Sequence, residues 1–169
     1  MPSGAGPHAS RLVEIAMPAA DNGFADYRAM IDRRTALAEA LRPANKTALF
    51  EPLALSSVAT VNVTFDGAGD SGQIEAVEYL GADGWPLEPT DFFVSLATPS
   101  QDGLTVEHNV HNLRDAVEAF VYDCLEQTHA GWEIDVGAYG TFKFDIGAGT
   151  IRLDYHERFE ASEHHGHDL

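Results

Sequence analysis

Two runs of apolar and polar alternation, each beside a glycine-rich turn, restrict this chain to folds with a one-sided antiparallel sheet. Val61, Val63 and Phe65 alternate with Thr60, Asn62 and Thr64, the period of a strand with one buried face. Asp66-Gly67-Ala68-Gly69-Asp70-Ser71-Gly72 follows, and Val77 and Tyr79 alternate beyond it, so a hairpin closed by the glycine turn is expected. The pattern recurs in Phe142, Phe144 and Ile146, the turn Gly147-Ala148-Gly149, and Ile151, Leu153 and Tyr155. Thr141, Lys143, Asp145, Arg152, Asp154 and His156 fall on the other face of that second hairpin, which meets water or a partner.

Helical spacing appears twice. Phe24, Tyr27, Ile31, Ala38 and Leu41 follow a 3.6-residue period that Pro43 should stop. Asn45 then offers an N-cap for a shorter helix through Leu49, Phe50 and Leu53, which Pro52 should kink or end. Leu113, Val117, Phe120, Val121, Cys124 and Leu125 define a second amphipathic helix, from Asn109 or Asn112 to Thr128, ended by Gly131. Residues 81–104 read as irregular apart from a short strand over residues 92–96. The expected fold is α+β: an antiparallel sheet of about four strands built from two hairpins, with helices packed on one face. At 169 residues one domain is expected, over residues 23–159, with a flexible N-terminal arm at 1–22 and a His-rich flexible tail at 160–169.

Charge narrows the function. The chain has 27 acidic and 10 basic residues, a net charge of −17. Residues 1–50 hold six basic and five acidic residues, a net of +1, so residues 51–169 carry −18. Such a body repels phosphate, which disfavours nucleic-acid binding and docking on anionic membranes and favours basic proteins or cations as partners. Cys124 is the only cysteine, so no intrachain disulfide or thiolate metal cluster can form, as expected of a cytoplasmic protein.

Several constellations invite chemistry. Gly67-Ala68-Gly69-Asp70-Ser71-Gly72 fits G-x-G-x-x-G, but Asp66 and Asp70 would stand beside a bound pyrophosphate. The segment Gly69-Asp70-Ser71-Gly72 resembles the nucleophile segment of chymotrypsin-like proteases, yet only His8 precedes Ser71. Asp66, Asp70 and Glu75 could ligate Ca or Mg through carboxylate oxygens; the competing reading is a solvated polar turn. A second cluster comprises Trp132, Glu133 and Asp135, then Tyr139, and Asp154, His156, Glu157 and Arg158 on the final strand, where Glu133 and His156 are the candidates for moving a proton. The competing reading makes Trp132 a core plug and Arg158 an ion-pair partner of Glu133 or Asp154. His164, His165 and His167 could hold Zn, Ni or Cu weakly.

Two stretches resemble a known family: Val63-Thr64-Phe65-Asp66-Gly67-Ala68-Gly69-Asp70-Ser71-Gly72-Gln73-Ile74-Glu75, and Gly131-Trp132-Glu133 with Gly137-Ala138-Tyr139-Gly140-Thr141-Phe142 and the closing Leu153-Asp154-Tyr155-His156-Glu157-Arg158. They are similar to an uncharacterised bacterial family, a domain of unknown function found in plasmid, integrated-element and phage proteins. The resemblance spans roughly residues 45–160 and implies a mobile-element setting, with these two segments forming a functional edge. The expected binding residues are Asp66, Asp70, Ser71, Gln73, Glu75, Trp132, Glu133, Asp154, His156 and Arg158. The expected function is a small acidic protein-binding or inhibitor module, a charge decoy for a basic, DNA-binding protein. The alternative is a divalent-metal-binding domain or metal-dependent hydrolase built on Asp66, Asp70 and Glu75.

Overall fold

The computed structural model describes residues 22–166. All but the last residue of the expected arm, and residues 167–169 of the expected tail, with His167, lie outside the described residues. Helix α1 (Asn22–Leu55) is followed by strands β1 (Thr60–Ala68), β2 (Ser71–Leu80), β3 (Phe93–Pro99) and β4 (Val106–Asn112). Helix α2 (Leu113–Thr128) precedes strands β5 (Ala138–Asp145) and β6 (Thr150–Glu157). The main sheet has four antiparallel strands in the order β2-β1-β5-β6, the two expected hairpins joined through β1 and β5. The α+β class and the one-sided sheet of the sequence reading are present.

The hairpins form for the reasons their sequences suggest. Gly69 and Asp70 both take positive φ between the paired residues Ala68 and Ser71, the two-residue type I′ geometry that matches strand twist. At the β5–β6 turn the Ala148 N–H donates to the Asp145 carboxylate at 2.9 Å, and Gly149 takes φ 65°. Val61, Val63, Phe65, Phe142 and Phe144 are buried beneath α2 and the C-terminal half of α1, whose Phe50 meets Phe144 edge to face at 6.1 Å. The opposite face carries Thr60, Asn62, Thr64 and Asp66 of β1 and their neighbours.

Three expectations need correction. First, α1 is one helix that runs through Pro43 and Pro52. Asn45 is no N-cap: its buried side chain accepts from the Ala97 N–H and donates to the Ala97 carbonyl, both at 2.8 Å, pinning α1 to β3. An interior proline costs a helix about 3 kcal/mol. Complete burial of Leu49 and Leu53, worth about 1.5–3 kcal/mol each, offsets one such interruption.

Second, the apolar stripe of the first half of α1 is not core, since Phe24 and Tyr27 are each 60% exposed. A helix of 34 residues is about 51 Å long and overhangs the small sheet. Third, residues 81–112 hold a second, two-stranded sheet of β3 and β4. Val106-Glu107-His108-Asn109-Val110 is exposed throughout, so no buried face imprinted alternation on β4. Only Val94 and Leu96 of β3 point into the core.

The start of α2 is decided by Asn112. Its Oδ1 accepts the Asp115 N–H and its Nδ2 donates to the Asp115 carboxylate, both at 2.8 Å, which satisfies an orphan amide of the first turn. Asn112→Ala is expected to cost about 1 kcal/mol in urea denaturation, with Asn112→Ser recovering most of it; an alanine variant as stable as the parent would remove Asn112 from this role.

Candidate functional site

Trp132 joins the two segments singled out in the sequence. Its indole lies over Gly67 of β1 and Gly72 of β2: a Cβ at Gly67 would stand 2.7 Å from Cζ3, and one at Gly72 would overlap Cη2. The ring packs edge-on against Phe65, with centroids 5.4 Å apart. Backbone bonds complete the joint, from the Gly69 N–H to the Asp135 carbonyl at 2.8 Å and from the Asp70 N–H to the Glu133 carbonyl at 3.1 Å. The glycines of the turn therefore make room for an indole rather than for a phosphate, and Trp132 is a core plug, 7% exposed.

Around this joint the candidate residues separate onto two sides of the sheet. Asp66 and Glu75 line a concavity with Ser71 and Gln73 at the hairpin end. Asp66 is held by Arg158, whose Nη2 donates to its carboxylate at 2.7 Å while Nη1 donates to the Gly67 carbonyl at 2.9 Å. Glu75 accepts from the Gln73 amide at 2.8 Å. The Arg158 guanidinium also covers the Tyr139 ring, 4.8 Å from its centroid, and His156 stacks on the same ring at 4.9 Å. Thus Arg158 pairs with Asp66, and neither Glu133 nor Asp154 is its partner. Asp154 lies 3.5 Å from the His156 imidazole on the open face.

Glu133 is on the helix side, so the strand alternation that turns His156 outward separates these two proton-carrying candidates. Among the described residues no three His, Cys, Asp or Glu side chains gather closely enough to hold a metal ion. The joint also splits Asp70 from Asp66 and Glu75, because Asp70 lines a different cleft.

That second cleft, about 470 Å³, lies between the β1–β2 turn and α2. Asp70, Asp123, Glu126 and Glu133 line it together with Tyr122 and the edge of Trp132. None of the four carboxylates has an ion-pair partner among the described residues. One Glu133 oxygen, Oε2, is buried without a hydrogen-bond partner. Burial pushes the Asp123 carboxyl above the ordinary carboxylate range, against the Gln127 amide hydrogen bond and the Arg42 charge, which favour the ionised form. Tyr122 is fixed in the wall by accepting the Ile74 N–H at 3.1 Å.

The sequence reading missed Tyr122, Asp123 and Glu126. Their signal was present: they occupy the polar side of α2, opposite Phe120, Cys124 and Leu125. The open sheet face is mixed in charge. Lys143, Arg152 and Arg158, three of the four basic residues after position 50, lie on it, and Lys143 stands directly across from Arg152.

The molecule is a helix-backed antiparallel sheet with a glycine-cradled tryptophan and an acidic cleft beside it. The chain belongs to the family of unknown function DUF6878, whose model matches residues 41–169. The match opens at Leu41, near where α1 begins to be buried, and leaves out its overhanging half. No curated protein and no solved structure matches the chain. Among the described residues no helix is long and apolar enough to cross a membrane.

The raised Asp123 value carries a pH signature. A carboxyl whose folded value exceeds its unfolded value, about 3.9, contributes most stability while protonated and loses that contribution as pH rises through the folded value. Asp123→Asn keeps an acceptor for Gln127, so it should be more stable than the parent at pH 7, with the advantage shrinking as pH falls toward 4. Urea melts at both pH values check this; a difference independent of pH would contradict it.

Proposed function

We propose that the protein is an acidic protein-binding module that takes Lys or Arg side chains of a basic partner into the cleft between the β1–β2 turn and α2. The observation that carries this reading is the set of four carboxylates, Asp70, Asp123, Glu126 and Glu133, around Tyr122 in one concavity, with no ion-pair partner among the described residues. An entering ammonium or guanidinium group would meet charge on several sides and an aromatic ring for cation–π contact. Much of the long-range attraction comes from the −18 of residues 51–169, which steers basic surfaces at low ionic strength.

A partner whose basic surface normally contacts DNA would be occluded by such binding, so an inhibitor acting as a charge decoy is the form of this function that suits the cleft. The mobile-element setting implied by the sequence resemblance belongs to the same proposal. The metal-dependent alternative draws no support from the separation of Asp70 from Asp66 and Glu75, or from the Arg158 hold on Asp66.

Calorimetric titration with a Lys- and Arg-rich peptide tests the reading. The set D70N, D123N, E126Q and E133Q should weaken binding at least tenfold, about 1.4 kcal/mol. The control set E88Q, D91N, E107Q and E160Q removes as many charges from exposed positions elsewhere and should change affinity far less. Equal losses from both sets would show binding to overall charge and defeat the cleft assignment.

A further inference from the structure

A second cleft, about 490 Å³, opens on the other side of α2 and has the opposite character. Its walls are Phe120 and Cys124 of α2, Phe142 of β5, and Ile151 and Leu153 of β6. It exists because the helices cover the sheet unevenly. The inward residues of β1 and β5 are buried, whereas Ile151 and Leu153 of edge strand β6 are only partly covered. Farther along β6, His129 stacks on Tyr155 at 3.7 Å and closes the gap; around Ile151 and Leu153 the gap remains.

Two cations of α1, Arg42 and Lys46, stand on the rim, one helical turn apart. In a chain with 27 acidic residues, neither has an ion-pair partner among the described residues. Arg42 donates through Nη2 to the Gln127 side chain, while its Nε is buried with no hydrogen-bond partner. Lys46 donates to the Gly149 carbonyl at 2.7 Å and sits 5.6 Å from the centroid of the Phe50 ring. These contacts orient both head groups and leave further donors on each unused.

We propose that this cleft binds a small amphiphilic carboxylate, with its hydrocarbon chain between Phe120, Phe142, Ile151 and Leu153 and its carboxylate between Arg42 and Lys46. The size falls within the range of small-molecule sites, and the arrangement of apolar walls with a few convergent polar groups is that of such sites. Charge decides the head group. A neutral alcohol would leave two half-buried cations without a counter-charge, a cationic amphiphile would be repelled by them, and a carboxylate supplies acceptors for the remaining Arg42 and Lys46 protons. The Cys124 thiol, pushed by burial up to about 11, stays protonated and acts as neutral wall. Positions 120, 124 and 128 of α2 face this cleft and positions 122, 123 and 126 face the acidic one, so the two share no lining residue, although Gln127 links Arg42 on this rim to Asp123 in the other wall.

Decanoate, below its micellar concentration, is the probe, with decanol as the neutral comparison. Calorimetry should show one site per chain, and 13C-methyl spectra should show saturable shifts of the Ile151 and Leu153 signals. R42Q with K46Q should weaken decanoate at least tenfold while leaving decanol binding within about twofold. Leu153→Trp, which fills the cleft from the edge strand, should abolish both. Circular dichroism confirms that each variant is folded; if the tryptophan variant is not, the rim variant decides alone. Absence of decanoate binding at millimolar concentration, methyl shifts located elsewhere, or equal loss of decanoate and decanol in the rim variant would each overturn the proposal.

Discussion

The contact between the Trp132 indole and the backbone of Gly67 and Gly72 organises the rest of this structure. A hairpin turn is normally free to move above its sheet. Here the ring occupies the space where two Cβ atoms would be, and the flanking amides of Gly69 and Asp70 bond to the segment that carries it. The 131–137 segment is thereby fastened across the end of β1, and Gly137 continues the close approach, since a Cβ there would overlap the Gly67 carbonyl. Arg158 ties the last strand to the same point through Asp66 and the Gly67 carbonyl. Three regions distant in sequence are held at one corner by an aromatic plug and a handful of backbone bonds.

The location of charge follows from this corner. Arg158 neutralises Asp66 on the open side, whereas the same joint presents Asp70 and Glu133 to α2, whose Asp123 and Glu126 complete an acidic cleft lined by no Lys or Arg among the described residues. Holding a carboxylate in the wall of this cleft costs stability, and the upward displacement of Asp123, caused by its burial, is the sign of it. Natural folds tolerate such costs where a ligand relieves them. The reverse asymmetry, two cations that have no ion-pair partner among the described residues of an acidic chain, marks the apolar cleft on the far side of α2.

The hairpins were legible in the sequence because each has one buried face, and period-two alternation is the imprint of that face. The α2 core stripe was legible for the same reason at period 3.6. β4 left no imprint, since residues 106–110 are exposed on both faces and are paired with β3. The continuity of α1 was hidden because local rules stop a helix at Pro43, while the anchoring of Asn45 on Ala97 and the burial of Leu49 and Leu53 are tertiary effects. At the candidate site, the importance of the Asp-Gly-Ala-Gly-Asp-Ser-Gly turn and of Trp132-Glu133 was visible, but their relation was not. Glycines beside a strand suggest ligand approach; only the fold shows that the group approaching is the chain's own tryptophan. The acidic residues of α2 looked like an ordinary solvated face until the turn was folded against them.

A double-mutant cycle on Gly72 and Trp132 tests the organising contact most directly. Trp132→Phe removes the far ring atoms that a Cβ at position 72 would overlap, while keeping an aromatic plug against Phe65. Overpacking predicts that Gly72→Ala costs about 1–3 kcal/mol with Trp132 present. In the phenylalanine background most of that cost should vanish, giving a coupling of about 1 kcal/mol or more in urea denaturation. An alanine at position 72 that costs the same in both backgrounds would contradict the account.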